Sequence, residues 1–273
     1  MYRIVALAGP TCIGKTAIAV AAAKTTGAVI FPLDQLQRYR YLREGVGFDE
    51  STFEGVDYAG YQVLSPWEVS GPERYARWLG DVLPEEARDR PVLIEGGCTS
   101  YLKKLLELAR EDPLFARIRF LALAVPGTAS EAVARIDAFY DAPKIQRIIQ
   151  EVGQLERRRF VSEPGLPFLE KCETLFTHPE HDDRNLAWAM RISAKVYCPA
   201  YLALKGRIEV EAARDRIVRN VRDIQLYQEA RVAGLLAEDK IMANEMPVPT
   251  IAGLIAELQG QAEPSGPAAR SSV

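Results

Sequence analysis

The sequence predicts an α/β fold: a mostly parallel sheet flanked by helices, with a small helical insertion. Three observations predict it. Short apolar runs such as "YRIVALAG", "RPVLIEGG" and "ARIRFLALAVP" read as buried strands, with stretches of helical period between them. A glycine-bracketed lysine, "GPTCIGKT", stands between the first strand and the first helix. The order strand, loop, helix, strand up to Asp34 is a βαβ start.

The elements follow in order. "KTAIAVAAAKTTG" is alanine-rich and closes on Gly27, a good C-cap. "AVIFPLD" is the second strand, and Pro32 near its end suits an edge or a strand terminus. Residues 40–72 carry several glycines and read as irregular, then a helix runs from about Pro72 to Leu83. "RPVLIEGG" is the third strand, "TSYLKKLLELARE" a helix, and "ARIRFLALAVP" the fourth strand. After Pro126 strand candidates thin out. "SEAVARIDAFYD", "APKIQRIIQEVGQLERRRF", the stretch from Asn185 to Ala203 and "EVEAARDRIVRNVRDIQLYQEARVAGLLAE" read as helices, with "EPGLP" as a break. In the last of these Ile217, Val221 and Ile224 share a face, while Arg216 and Arg219 face out. Residues 1–127 are thus expected to form the core, 128–184 a helical insertion or lid, and 185–240 the C-terminal helices completing the core. Residues 241–273 are an extension with a disordered tail.

Composition narrows the function classes. The chain has 273 residues, 48% of them apolar, enough for a sizeable core. Its formal net charge of −3 argues against a broad nucleic-acid surface. The four cysteines (Cys12, Cys98, Cys172 and Cys198) form no CxxC pair, so neither a disulfide framework nor a structural metal is expected. No apolar run is long enough for a membrane span, and the start lacks a signal-type core, so a cytoplasmic protein is expected.

The loop carries the first chemical signal. In "GPTCIGKT" the fixed places are Gly9, Gly14, Lys15 and Thr16, with Pro10, Thr11, Cys12 and Ile13 between them. Set between a strand and a helix, this is a P-loop, and the fold is P-loop NTPase-like. Gly14 allows a backbone that a side chain would oppose, and the loop amides and helix N-terminus attract oxyanions. Lys15 adds a mobile cation, and Thr16 offers a hydroxyl to Mg²⁺. The loop alone does not name the reaction, since it binds ATP or any diphosphate ester.

Asp34 ends the second strand, on the edge where open parallel sheets bind ligands. It can accept a proton or a hydrogen bond from a substrate, or cap the following helix. Gln37 shares that wall. Glu95 ends the third strand, where an acidic residue could organise Mg²⁺. Gly96 and Gly97 after it read as a close approach of a ligand to backbone. Thr99 and Ser100 follow as a cap or as ligand donors.

Together "GPTCIGKT", "LDQLQ" and "EGGCTSYL" resemble the isopentenyltransferase family, which includes adenylate and transfer RNA dimethylallyltransferases. The likeness is to the short bacterial adenylate type, of the kind that makes cytokinins. It spans residues 4–102, and more loosely 103–225 through "NLAWAMRISA". The resemblance implies that residues 9–16 hold the diphosphate of dimethylallyl diphosphate, with Mg²⁺ at Thr16. It implies that Asp34 is the general base on the adenine N6 amine, and that Thr11 and Lys15 act at the reacting centre. Asp183, or Asp182 beside it, matches a second family aspartate near the adenine. AMP is the implied acceptor, with ADP, ATP or a specialised metabolite open, and nucleic acid is not expected. Cys98 stands where a serine or threonine is common, Ile13 where a small or hydroxylated residue is usual, and "RYRYLREGVGFDEST" departs from the family in detail.

The acceptor's phosphate needs cations, and the candidates are Arg135, Lys144, Arg147, the "ERRRF" cluster and the helix from Arg214 to Arg222, Arg147 and Arg219 foremost. "HPEHDDR", with His178 and His181, reads as a polar turn rather than a metal site, and Trp188 and Tyr197 as core residues. A monomer is expected. The rival reading is a small-molecule or nucleotide kinase, using ATP in the same loop and Asp34 to activate a hydroxyl; a binding ATPase stands third. A kinase needs an adenine pocket outside the sheet and an arginine-bearing lid, a prenyltransferase an apolar pocket beside the diphosphate, and a binding ATPase would give no acceptor-dependent product.

Overall fold

The computed structural model describes residues 3–66, 68–125, 127–157, 193–238, 244–245 and 251–260. At its centre is β1 (Ile4–Ala8), flanked by β3 (Val92–Gly96) and β4 (Ile118–Ala122). The edges are β2 (Val29–Pro32) and β5 (Asn244–Glu245), giving the order β2-β3-β1-β4-β5 with every pair parallel. Pro32 is the last residue of an edge strand, the position its missing N–H allows. Parallel neighbours need crossovers, and α1 (Lys15–Thr26), α2 (Pro72–Asp89) and α3 (Thr99–Glu111) supply them.

Side chains alternate across the pleat, so each strand serves two cores. Ile4, Ala6 and Ala8 of β1 join Phe31, Ile94 and Phe120 in packing against α2 and α3. Val5 and Leu7 join Ile30, Leu93 and Leu121 on the opposite face, under α1. A third core is helical. It joins α4 (Ala129–Phe139), α5 (Ala142–Arg157), α6 (Ala194–Leu204) and the long α7 (Val210–Glu238) around Ile136, Ile148, Tyr197 and Ile217. The described part of the segment read as an insertion, residues 128–157, therefore shares one layer with the C-terminal helices. Tyr197 is fully buried, and Trp188 lies outside the described residues.

Two elements differ from the sequence reading. First, α2 does not stop at Leu83 but continues through Pro84 to Asp89. The proline removes one helical hydrogen bond and crowds the Gly80 carbonyl, a cost of about 3 kcal/mol. Pro84 sits on the exposed side, where water can serve that carbonyl, while Leu83 and Ala87 extend the buried stripe of Tyr75, Ala76 and Leu79. Second, the core does not end near residue 240. β5 adds a strand beyond β4, and α8 (Ile251–Gln259) buries Leu254 and Leu258 against the α1 face of the sheet. Among the described residues no helix is long and apolar enough to cross a membrane.

Candidate active site

The phosphate loop begins where β1 ends at Ala8 and closes where α1 begins at Lys15. Gly14 takes φ 86°, the left-handed conformation that lets the helix start directly beneath the loop. Cys12 is left-handed too, at φ 59°, and alternating conformations of this kind turn successive amides toward one concavity. Lys15 is only 8% exposed and its ammonium donates to the Pro10 carbonyl.

Two carboxylates face that lysine. Asp34 follows β2, and its Oδ1 accepts the Leu36 N–H at 2.9 Å, an Asx turn leading into a short helical turn whose N-cap is Gln35 rather than Asp34. Glu95 stands near the end of β3, 1% exposed, where Oε1 accepts from Thr16 Oγ1 at 3.2 Å and from Tyr61 OH at 3.1 Å. Burial pushes the Asp34 carboxyl above its ordinary value, with the Leu36 N–H and Lys15 opposing. Burial likewise raises the Glu95 carboxyl, opposed first by Lys15 and then by Tyr61. Burial lowers the Lys15 ammonium, and Glu95 and Asp34 pull it back. Two carboxylates around one lysine leave this cluster short of positive charge when all three are ionised. Thr16 and Glu95 offer hard oxygen donors of the kind Mg²⁺ takes, one or two from protein and the rest from phosphate and water. Among the described residues no group of three or more His, Cys, Asp or Glu could hold a metal alone.

The loop, Asp34, Gln37 and Glu95 line one cavity of about 380 Å³. Its other wall is apolar: Val46 and Phe53 from the irregular segment, Phe139 and Tyr140 at the end of α4, Val196 of α6, and Val221 and Ile224 of α7. Gln37 Oε1 is buried there without a hydrogen-bond partner. Arg135 also lines this cavity.

Other candidates lie elsewhere. Thr99 and Ser100 open α3 away from the cavity lining; the N-cap position is Cys98, and no side chain caps the helix. Arg147 is exposed, its Nε 3.1 Å from Glu44 Oε2, and with Lys144 it anchors that carboxylate beside a separate cavity. Arg219 is exposed on α7 and lines none of these cavities. Asp182, Asp183, His178 and His181 lie outside the described residues. Gly96 and Gly97, by contrast, do line the main cavity, and neither has room for a side chain: a Cβ on Gly96 would sit 2.3 Å from the Leu33 carbonyl oxygen, and one on Gly97 2.9 Å from Gln228 Nε2.

Three residues were missed. Gln225 and Gln228 of α7 bond to the loop backbone, and their signal was present: polar residues interrupt a helical stripe begun by Ile217, Val221 and Ile224. Tyr61 lies in a segment whose sequence has no period to read.

Fold and cleft together define a phosphate-loop α/β protein whose anion cradle meets a carboxylate wall and an apolar one. A family model described as isopentenyl transferase matches residues 2–160, more than half of the chain. The chain belongs to the isopentenyl transferase family. It is 35% identical over 136 residues to a tRNA dimethylallyltransferase of Myxococcus xanthus, covering 47% of this chain and 43% of that protein. It is 33% identical over 214 residues to the tRNA dimethylallyltransferase of Treponema pallidum, covering 77% and 65%. An adenylate dimethylallyltransferase of Agrobacterium fabrum is 26% identical over 165 residues, covering 53% and 68%. The matched part of the chain thus spans about half the length of such relatives. A tRNA delta(2)-isopentenylpyrophosphate transferase from Staphylococcus epidermidis has the same fold, at TM-score 0.64 and 14% identity, over 96% of this chain and 99% of that one. A eukaryotic dimethylallyltransferase acting on tRNA superposes at TM-score 0.63 and 14% identity, over 96% and 85%.

Proposed function

We propose that this protein transfers a dimethylallyl group from dimethylallyl diphosphate to the exocyclic N6 amine of an adenine, releasing diphosphate. The observation that carries the reading is the cavity itself, where an apolar wall adjoins a phosphate loop and a buried carboxylate. That wall would take the apolar tail of the donor beside its diphosphate. Burying a five-carbon tail against it is worth ~4 kcal/mol at about 0.8 kcal/mol per carbon.

The loop amides and Lys15 meet the diphosphate where negative charge grows as the carbon–oxygen bond breaks. Only stabilisation gained on the way to the transition state speeds that step. Thr16 and Glu95 would hold Mg²⁺, which when bound supplies further neutralisation of the departing diphosphate. The adenine amine is a weak nucleophile because its lone pair is delocalised into the ring. Asp34, its carboxylate plane fixed by the Leu36 N–H, orients the amine and takes its proton. The apolar wall keeps water from the cation-like carbon.

For the acceptor we favour an adenine presented within a tRNA over the free AMP expected from the motifs. The family relatives described above are mostly tRNA enzymes, and both matched structures are of tRNA-modifying transferases. AMP keeps support from the Agrobacterium relative and from the net charge of −3. The experiment is a product mass assay with Mg²⁺ and dimethylallyl diphosphate, run in parallel on unmodified tRNA and on AMP. A prenylated adenosine in digested tRNA and unchanged AMP is the expected outcome; prenylated AMP alone would reassign the acceptor. Neither product, with ATP consumed on a hydroxylated acceptor, would overturn the reading.

A further inference from the structure

The long helix α7 leaves the helical layer and ends two side chains on the phosphate loop. The Thr11 N–H donates to Gln228 Oε1 at 2.8 Å. Gln225 Nε2 donates to the Thr11 carbonyl at 2.8 Å, and Gln228 Nε2 donates to the Gly97 carbonyl at 2.9 Å. The Gln228 amide is therefore oriented at both ends, one atom accepting and the other donating. Gln225 is only 3% exposed, so its amide has no ready exchange for water. Gly97 is part of the same device, since any side chain there would collide with Gln228.

These bonds pin both peptide groups that flank Thr11. With its N–H given to Gln228, Thr11 does not offer that amide to an anion. With its carbonyl given to Gln225, the direction of the next amide is set as well, because C=O and N–H point opposite ways across a trans peptide. That next residue is Cys12, whose left-handed φ of 59° bends the loop around the cradle. The same helix supplies Val221 and Ile224 to the apolar wall.

We propose that Gln225 and Gln228 are positioning residues for the transfer: they hold the loop at Thr11 and Cys12 in the form that receives the diphosphate, and tie that form to the placement of α7. The clamp rests on the reading that this loop holds a diphosphate. It assigns Thr11 a role through its backbone rather than through diphosphate contact by its amide.

The test uses the full chain. Inorganic pyrophosphate binding with Mg²⁺ is measured by calorimetry, alongside melting temperature and the kcat and KM for the prenyl donor. Gln228→Met keeps the bulk and removes both bonds; it is expected to weaken pyrophosphate binding roughly tenfold and to lower kcat. Gln228→Glu keeps the bond from Thr11 but loses the donor to Gly97 until its carboxyl is protonated. Its activity relative to wild type, measured where both proteins remain fully folded, is therefore expected to rise as pH falls, a change that loss of folded protein cannot produce. If Gln228→Met does not fold, Gln225→Leu is read on the same scale, with the same expected loss of pyrophosphate affinity. Folded variants that bind pyrophosphate and turn over like wild type would overturn the clamp alone. A wild-type protein that ignores pyrophosphate would overturn the diphosphate reading beneath it.

Discussion

Asp34 carries two duties that compete for one carboxylate. It accepts the Leu36 N–H in the turn after β2, and it faces Lys15 in the cavity. Asp34→Asn keeps that bond, since an amide oxygen can accept the same N–H, and loses the base. Transfer is expected to fall by about 10²–10⁴-fold with pyrophosphate affinity little changed. A rate equal to wild type would remove Asp34 from the chemistry. The pH dependence has a definite sign. A base must be ionised, and burial raises this carboxyl, so kcat/KM is expected to fall with decreasing pH at values above the ordinary carboxylate pKa of about 3.9. The Asn variant should lack that limb. Lys15→Met is expected to weaken pyrophosphate binding and turnover together, because it removes the cation at the leaving group. At this scale the sequence was legible where chemistry is local. A P-loop and an acidic strand end can be read from one short segment each. Gln228 meets Thr11 across 217 residues, and no local pattern announces such a pairing.

Elements were legible where one period governs them. The first four strands and α1, α3 and α7 lie where alternation, apolar runs and glycine stops placed them. Pro84 misled because its rule concerns the backbone alone, whereas the apolar stripe of α2 continues past it. The irregular segment before α2 was unreadable for a different reason: side chains from elsewhere hold it. Glu151 of α5 accepts the backbone N–H groups of Arg43, Glu44 and Gly45, and the Tyr197 hydroxyl at 3.0 Å. Gly45 packs so closely on Tyr197 that a Cβ there would lie 2.4 Å from the ring. One carboxylate thus ties the loop beside Val46 and Gly47 to the helical layer. Glu151→Ala would leave those donors unpaired, and a loss of about 3 kcal/mol is expected in urea unfolding. Proteolysis within residues 40–50 should speed up in the same variant. Unchanged stability would mean that water replaces the carboxylate at little cost.

For the whole molecule, the cavity lies between a sheet with its own two cores and a helical layer with a third. The α/β class and the family were legible because the three motifs sit at adjacent strand ends, which the parallel register brings side by side. The acceptor was not, since it depends on surfaces assembled from distant segments. The net charge that pointed to AMP is a sum over the chain and says nothing about where the arginines gather. The position of α8 carries one more consequence. This helix packs on α1 and the sheet, with Leu254 and Leu258 in the same core as Ala19 and Ala23. Its Glu257 lies 3.9 Å from Arg3 and 3.7 Å from Arg119, so it also reaches residues flanking or within the sheet. During synthesis α1 must therefore wait, part of its apolar surface bare, until residues 251–259 have been made. A ribosome stalled before residue 251 would release a chain prone to clump, and a holdase that shelters emerging N-terminal segments should raise the yield of active protein more than one acting after release.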